Sequence, residues 1–280
     1  MSLSYGDNPF PPHHEIPAPP SEQPLEVAPP AVEPAIAHDD QPWGIWDLVR
    51  IAVVALIAIL LFSMVAMGMA IRSAGPAHAA AADLARDPRV VLPAQFAAYL
   101  VVIVFMISLI RTRGRRFWTA VRWNWPGRAW FGWMTLGVGL AVMVQSASAL
   151  LPIPKSLPIE RYFRDTLGAW MMAGFGVTLA PLVEELYFRG FMYPALARRL
   201  GVVLGVVITS ALFAFIHTSQ LAHAWAPLLL LFLVGAVLTT VRARTNSVAA
   251  TLLIHIGYNG TLFTMLYLAS DHFRHLEKVT

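Results

Sequence analysis

The residues best suited to chemistry are a few polar groups set in otherwise apolar runs. Glu184 and Glu185 lie in APLVEELYFRGFMYPAL, His217 ends FAFIH, and His255 and Asn259 stand four apart in HIGYN. An ionised side chain near the centre of a bilayer costs about 2.5–3.5 kcal/mol on insertion scales, so two adjacent carboxylates beside an arginine need a reason to be retained. On a helix Glu185 and Arg189 share a face and neutralise one another as a charge-assisted pair. Glu184 points about 100° away around the helix and is left over. A spare carboxylate in apolar surroundings is the natural general base.

A lone histidine in a membrane helix often serves packing alone. Two of them together with a spare carboxylate and a carboxamide, carried on three separate helices, form the inventory that activates water and stabilises an oxyanion. Amide hydrolysis is the economical chemistry. The other histidines offer less: His13, His14 and His38 fall in the N-terminal tail, His78, His272 and His275 near polar ends, and His223 in a turn.

The elements that must position these groups are membrane helices. Of 280 residues, 57% are hydrophobic and 13% charged, and the mean hydropathy is +0.61. A hydrocarbon core of about 30 Å takes roughly 20 helical residues to cross. The sequence predicts an all-α, polytopic transmembrane helix bundle of about seven spans, near 46–72, 92–111, 129–151, 168–197, 202–219, 225–241 and 247–269. The polar cluster then falls on the fourth, fifth and seventh.

Residues 1–44 are acidic and proline-rich with no lysine or arginine, the composition of a disordered tail, and 45–280 form the transmembrane domain. Arginines at 111, 113, 115, 116, 122 and 128 crowd one loop, with Arg198, Arg199, Arg242 and Arg244 expected on the same side. That side should be cytoplasmic, which places the tail inside the cell. Arg72, Arg86, Arg89, Lys155, Arg161 and Arg164 weaken the asymmetry. Trp43, Trp46, Trp118, Trp123, Trp125, Trp130 and Trp133 sit at span ends as interfacial anchors, and the stretch from Leu151 to Trp170 fits a short interfacial helix.

The basic residues occupy short loops rather than one polar face, so nucleic acid is not the expected partner despite a net charge of +4; the lipid bilayer is. With no cysteine, thiolate ligands and cysteine nucleophiles are excluded. Eighteen of the twenty basic residues are arginine, a usage typical of a GC-rich bacterial genome, which suggests a bacterial plasma membrane.

EELYFR at 184–189, FAFIH at 213–217 and HIGYN at 255–259 resemble the EExxxR, FxxxH and HxxxN/D motifs of the CPBP family. These are the CAAX protease and bacteriocin-processing intramembrane proteases, also called the Abi family. The motifs occur in order on successive apolar segments, over a core of about 165–270. The resemblance implies an intramembrane endopeptidase of the CAAX prenyl protease type, acting on membrane-associated proteins or peptides. It implies that Glu184 is the base on water with His217 assisting, that His255 and Asn259 support the oxyanion, and that Glu185, Arg189 and Phe213 orient them. Glu184, His217 and His255 would also serve as ligands of a divalent metal such as zinc, and metal-free activation by the same groups is the other route. A membrane scaffold or immunity protein that binds a partner, and a transporter, are the alternative functions.

Overall fold

Proline and glycine decide where the apolar helices of this chain bend, and the bends bring the polar residues together. The computed structural model describes residues 1–2, 41–74, 81–154, 156–163 and 165–275. The expected disordered tail therefore falls almost entirely outside the described residues, as do His13, His14, His38, His78, Lys155 and Arg164.

In chain order the α-helices are α1 (Ile45–Ala74), α2 (Ala81–Leu84), α3 (Pro88–Arg111), α4 (Phe117–Ala120), α5 (Trp130–Ser148), α6 (Thr166–Val177), α7 (Leu179–Glu185), α8 (Tyr193–Phe215), α9 (Trp225–Thr245) and α10 (Val248–Ala269). A π-helical segment, Leu186–Met192, joins α7 to α8. Starts follow from capping. Asp87 accepts from the Arg89 N–H ahead of α3, Asp165 from the Gly168 N–H ahead of α6, and Ser247 from the Ala250 N–H ahead of α10, each quieting an orphan donor of a first turn.

Six helical stretches among the described residues are long and apolar enough to cross a membrane, and one of them, Thr166–Phe215, is 50 residues long. A straight helix of that length would measure about 75 Å against a core of about 30 Å. Instead the chain reverses at Gly201, where φ is 81° and ψ 167°, a conformation open essentially to glycine. After the turn the Phe213 ring lies 5.3 Å from that of Phe188, and a Cβ on Gly205 would come within 3.0 Å of the Ala197 Cα. The run thus supplies the expected fourth and fifth spans. The returning arm is shorter than expected. It ends at Phe215, so His217 sits in the turn just beyond α8 rather than inside a span.

Two further breaks have proline signals. The α6–α7 junction falls at Thr178, three residues before Pro181, whose ring clashes with the carbonyl four residues back and which has no N–H to bond it. The π segment ends just ahead of Pro194, which occupies the first turn of α8, where a missing N–H costs nothing. Helices α5 and α10 cross at glycines, since a Cβ on Gly137 or Gly257 would run into the carbonyl of Ile254 or Met134 respectively; such close backbone approach is how membrane helices associate.

The arginine-rich ends do gather on one side. Arg113 holds Asp47 through both carboxylate oxygens, at 2.7 and 3.0 Å, Arg198 donates to the carbonyls of Gln41 and Trp43, and the Val248 N–H donates to the Arg122 carbonyl. At the opposite end Arg89 pairs with Asp165, and the Ile159 N–H bonds the Gln220 carbonyl. Two residues differ from expectation. Trp43 is no interfacial anchor: it is 3% exposed, its indole N–H donates to the Phe191 carbonyl, and its ring packs on Phe191 at 4.6 Å. Arg242 is buried, donating to the Arg189 carbonyl and to the Asn246 side chain. Between Leu151 and Trp170 the interfacial element is a 3-10 turn, Pro158–Tyr162, followed directly by α6.

Candidate active site

Glu184 and Glu185 close α7, and the helix turns them toward different surroundings. Glu185 is fully buried. Its Oε1 accepts from the Arg189 guanidinium at 2.8 Å and from His255 Nδ1 at 2.8 Å. Arg189, equally buried, also donates to the Thr239 hydroxyl and the Gly235 carbonyl, and its guanidinium lies 4.5 Å from the Phe213 ring centroid, a cation–π contact strengthened by the lack of water. Every charge in this layer is therefore paired and hydrogen-bonded, the condition for burying charge at all.

Glu184 stands outside that network. The nearest partners described for it are imidazole nitrogens, His217 Nε2 at 3.9 Å and His255 Nε2 at 3.8 Å, beyond direct hydrogen-bond range. Its side chain is 14% exposed and that of His217 16%, so the two face an opening.

Each imidazole is held by its other nitrogen. His217 Nδ1 lies 2.8 Å from the Phe213 carbonyl; a carbonyl only accepts, so Nδ1 carries the proton and, in the neutral ring, Nε2 presents its lone pair. His255 Nδ1 likewise donates to the Glu185 carboxylate, which leaves Nε2 turned toward Glu184. Phe213 fixes both rings, at 5.1 Å from His217 and 5.9 Å from His255. Two acceptors, the Glu184 carboxylate and His217 Nε2, thus meet at a gap bordered by spacings of nearly 4 Å. A water molecule, with two protons to donate, is the complement of such a gap.

A metal ion would ask a different geometry of the same donors. Two ligands on one tetrahedral zinc stand about 3.4 Å apart, given metal–ligand distances near 2.1 Å. The spacings of 3.8 and 3.9 Å around Glu184 are wider, and among the described residues no group of three or more histidine or carboxylate side chains is arranged to hold an ion. The donor types suit zinc, but their placement does not.

Asn259 is engaged elsewhere. Its side-chain amide donates to the Gly176 carbonyl at 2.7 Å, next to the break between α6 and α7, so it ties α10 to the start of the helix that carries the glutamates. Sequence reasoning missed several participants. Thr239 and Gly235 on α9, and Arg242, entered the site only through tertiary contact. Tyr99 on α3, stacked on Phe175 at 5.5 Å, lies within electrostatic reach of Glu184. A tyrosine amid the apolar run of α3 was the available signal.

Comparison with known proteins agrees with the motifs. Residues 166–261 match the family model of Rce1-like proteins, described as type II CAAX prenyl endopeptidase Rce1-like. That segment, which runs from α6 into α10 and holds Glu184, Glu185, Arg189, Phe213, His217, His255 and Asn259, is similar to the CPBP family. No curated protein and no solved structure shows a significant match to the chain.

Proposed function

We propose that this protein is an intramembrane endopeptidase that hydrolyses peptide bonds of membrane-associated proteins or peptides with a water activated by Glu184. The observation that carries the reading is the position of Glu184 itself. The Glu185–Arg189–His255 network accounts for its own charges and needs no further carboxylate. Glu184 stands apart from it, partly buried and facing two imidazoles across a narrow gap.

In the reaction a water between Glu184, His217 and His255 gives a proton to the Glu184 carboxylate as its oxygen attacks the scissile carbonyl carbon. His217 Nε2 accepts the hydrogen bond of the other water proton and aligns the oxygen. His255 enters the step as the imidazolium, its Nδ1–H on Glu185, donates from Nε2 to the oxyanion as the tetrahedral intermediate forms, and keeps both protons. Glu184 then returns its proton to the leaving amine, and the C–N bond breaks. Asn259 keeps α7 in place, and oxyanion support falls to His255. Zinc bound by Glu184, His217 and His255 is the competing reading; it requires these side chains to close by about half an ångström, and it predicts that chelation abolishes cleavage and that zinc restores it. We further propose that the arginine-rich end faces the cytoplasm of a bacterial cell.

Wild type and Glu184→Gln, expressed at matched levels in the native host, should differ in the termini of membrane proteins. Termini found only with wild type establish proteolysis and name substrates. Identical termini in both would instead favour a partner-binding scaffold or immunity protein.

A further inference from the structure

The Glu185 carboxylate is held by one oxygen only. Oε1 takes both donors, Arg189 and His255, while Oε2 is buried and has no hydrogen-bond partner, an arrangement that is costly for a carboxylate out of water. One side chain stands ready to meet it. Thr251, fully buried on α10, lies one turn before His255 on the same helical face, the face that meets the Glu185 carboxylate through His255 Nδ1. In this structure that hydroxyl donates its single proton to the Val248 carbonyl at 2.9 Å. Val248 opens α10, and its carbonyl is already placed to accept the helical N–H four residues on. The Thr251 proton is thus spent on an acceptor that does not depend on it, and turning the hydroxyl about the Cβ–Oγ1 bond offers it to an oxygen that has nothing else.

We propose that Thr251 is a positioning residue, holding Oε2 of Glu185 so that Oε1 stays aimed at His255 Nδ1. The proposal rests on the hydrolytic reading above. Its consequence belongs to the intermediate: when His255 Nε2 donates to the oxyanion the ring carries positive charge, and a carboxylate fixed at both oxygens cannot swing away from it. Threonine supplies this where valine, of the same shape, cannot.

The test uses the full chain in proteoliposomes with a peptide spanning a wild-type-dependent cleavage site. Thr251→Val should lower kcat by roughly tenfold to a hundredfold, the range for losing a hydrogen bond to a charged group, with KM unchanged and kcat taken per folded molecule. Thr251→Ser, which keeps the hydroxyl, should restore kcat to within about threefold of wild type. Unchanged kcat in Thr251→Val, or equal loss in the valine and serine variants, overturns the proposal. If the valine variant does not fold, Thr251→Ala against Thr251→Ser per folded molecule gives the same decision, and equal kcat values overturn it. Cleavage lost in Glu184→Gln but kept in Thr251→Val sinks this inference alone, whereas cleavage untouched by Glu184→Gln sinks the hydrolytic reading with it.

Discussion

Glu184 and Glu185 are neighbours of one residue type with opposite duties, and the separation comes from helix geometry. The four-residue spacing of Glu185 and Arg189 marked one glutamate as paired and the other as spare, and the structure places them so. The rest of Arg189's environment was not legible, because Thr239 and Gly235 are some fifty residues away in sequence and only packing of α9 on the π segment brings them near. Trp43 and Arg242 were misread for a related reason: an aromatic or basic residue at a span end has the composition of an anchor whether it points to lipid or inward. Arg189→Met should leave Glu185 as an unpaired buried charge and destabilise the protein by about 3–5 kcal/mol. Thermal unfolding in detergent measures this, and an unchanged midpoint would show that the layer is not held by this pair. Lysine should rescue little, since it lacks the fork that reaches Glu185, Thr239 and Gly235 together.

At the level of elements, one 50-residue helical run does the positioning. The break at Thr178 presents α7, the π segment presents Arg189 to α9, and the reversal at Gly201 returns Phe213 and His217 to the glutamates. The reversal was legible, since Gly201 divides the expected fourth and fifth spans. The π segment was not, because its apolar residues satisfy helical periodicity equally well and only Pro194 marks its end. Gly201→Ala should cost about 1–3 kcal/mol from backbone strain. The expected signature is a lower unfolding midpoint with cleavage per folded molecule unchanged; an unaltered midpoint would mean that the turn relaxes freely.

For the whole molecule, the spans and the clustering of arginine-rich ends were readable from hydropathy and charge, whereas the side of the membrane is a matter of charge bias alone. The absence of cysteine makes single introduced cysteines clean reporters. Thr112→Cys, just beyond the end of α3, and Ser156→Cys, in the segment between α5 and α6, lie at exposed positions toward opposite ends of the bundle. An impermeant thiol reagent added to intact cells should label position 156 and spare 112, and the reverse pattern would invert the orientation. The central claim concerns Glu184, and the most direct measurement compares peptide cleavage by chelator-treated wild type and Glu184→Gln in proteoliposomes, with unfolding midpoints recorded alongside. Water activated by Glu184 predicts that treated wild type still cleaves, that Glu184→Gln is slower by about 10²–10⁴-fold, the usual worth of a general base, and that the midpoints coincide. Equal cleavage rates for the two proteins would contradict it.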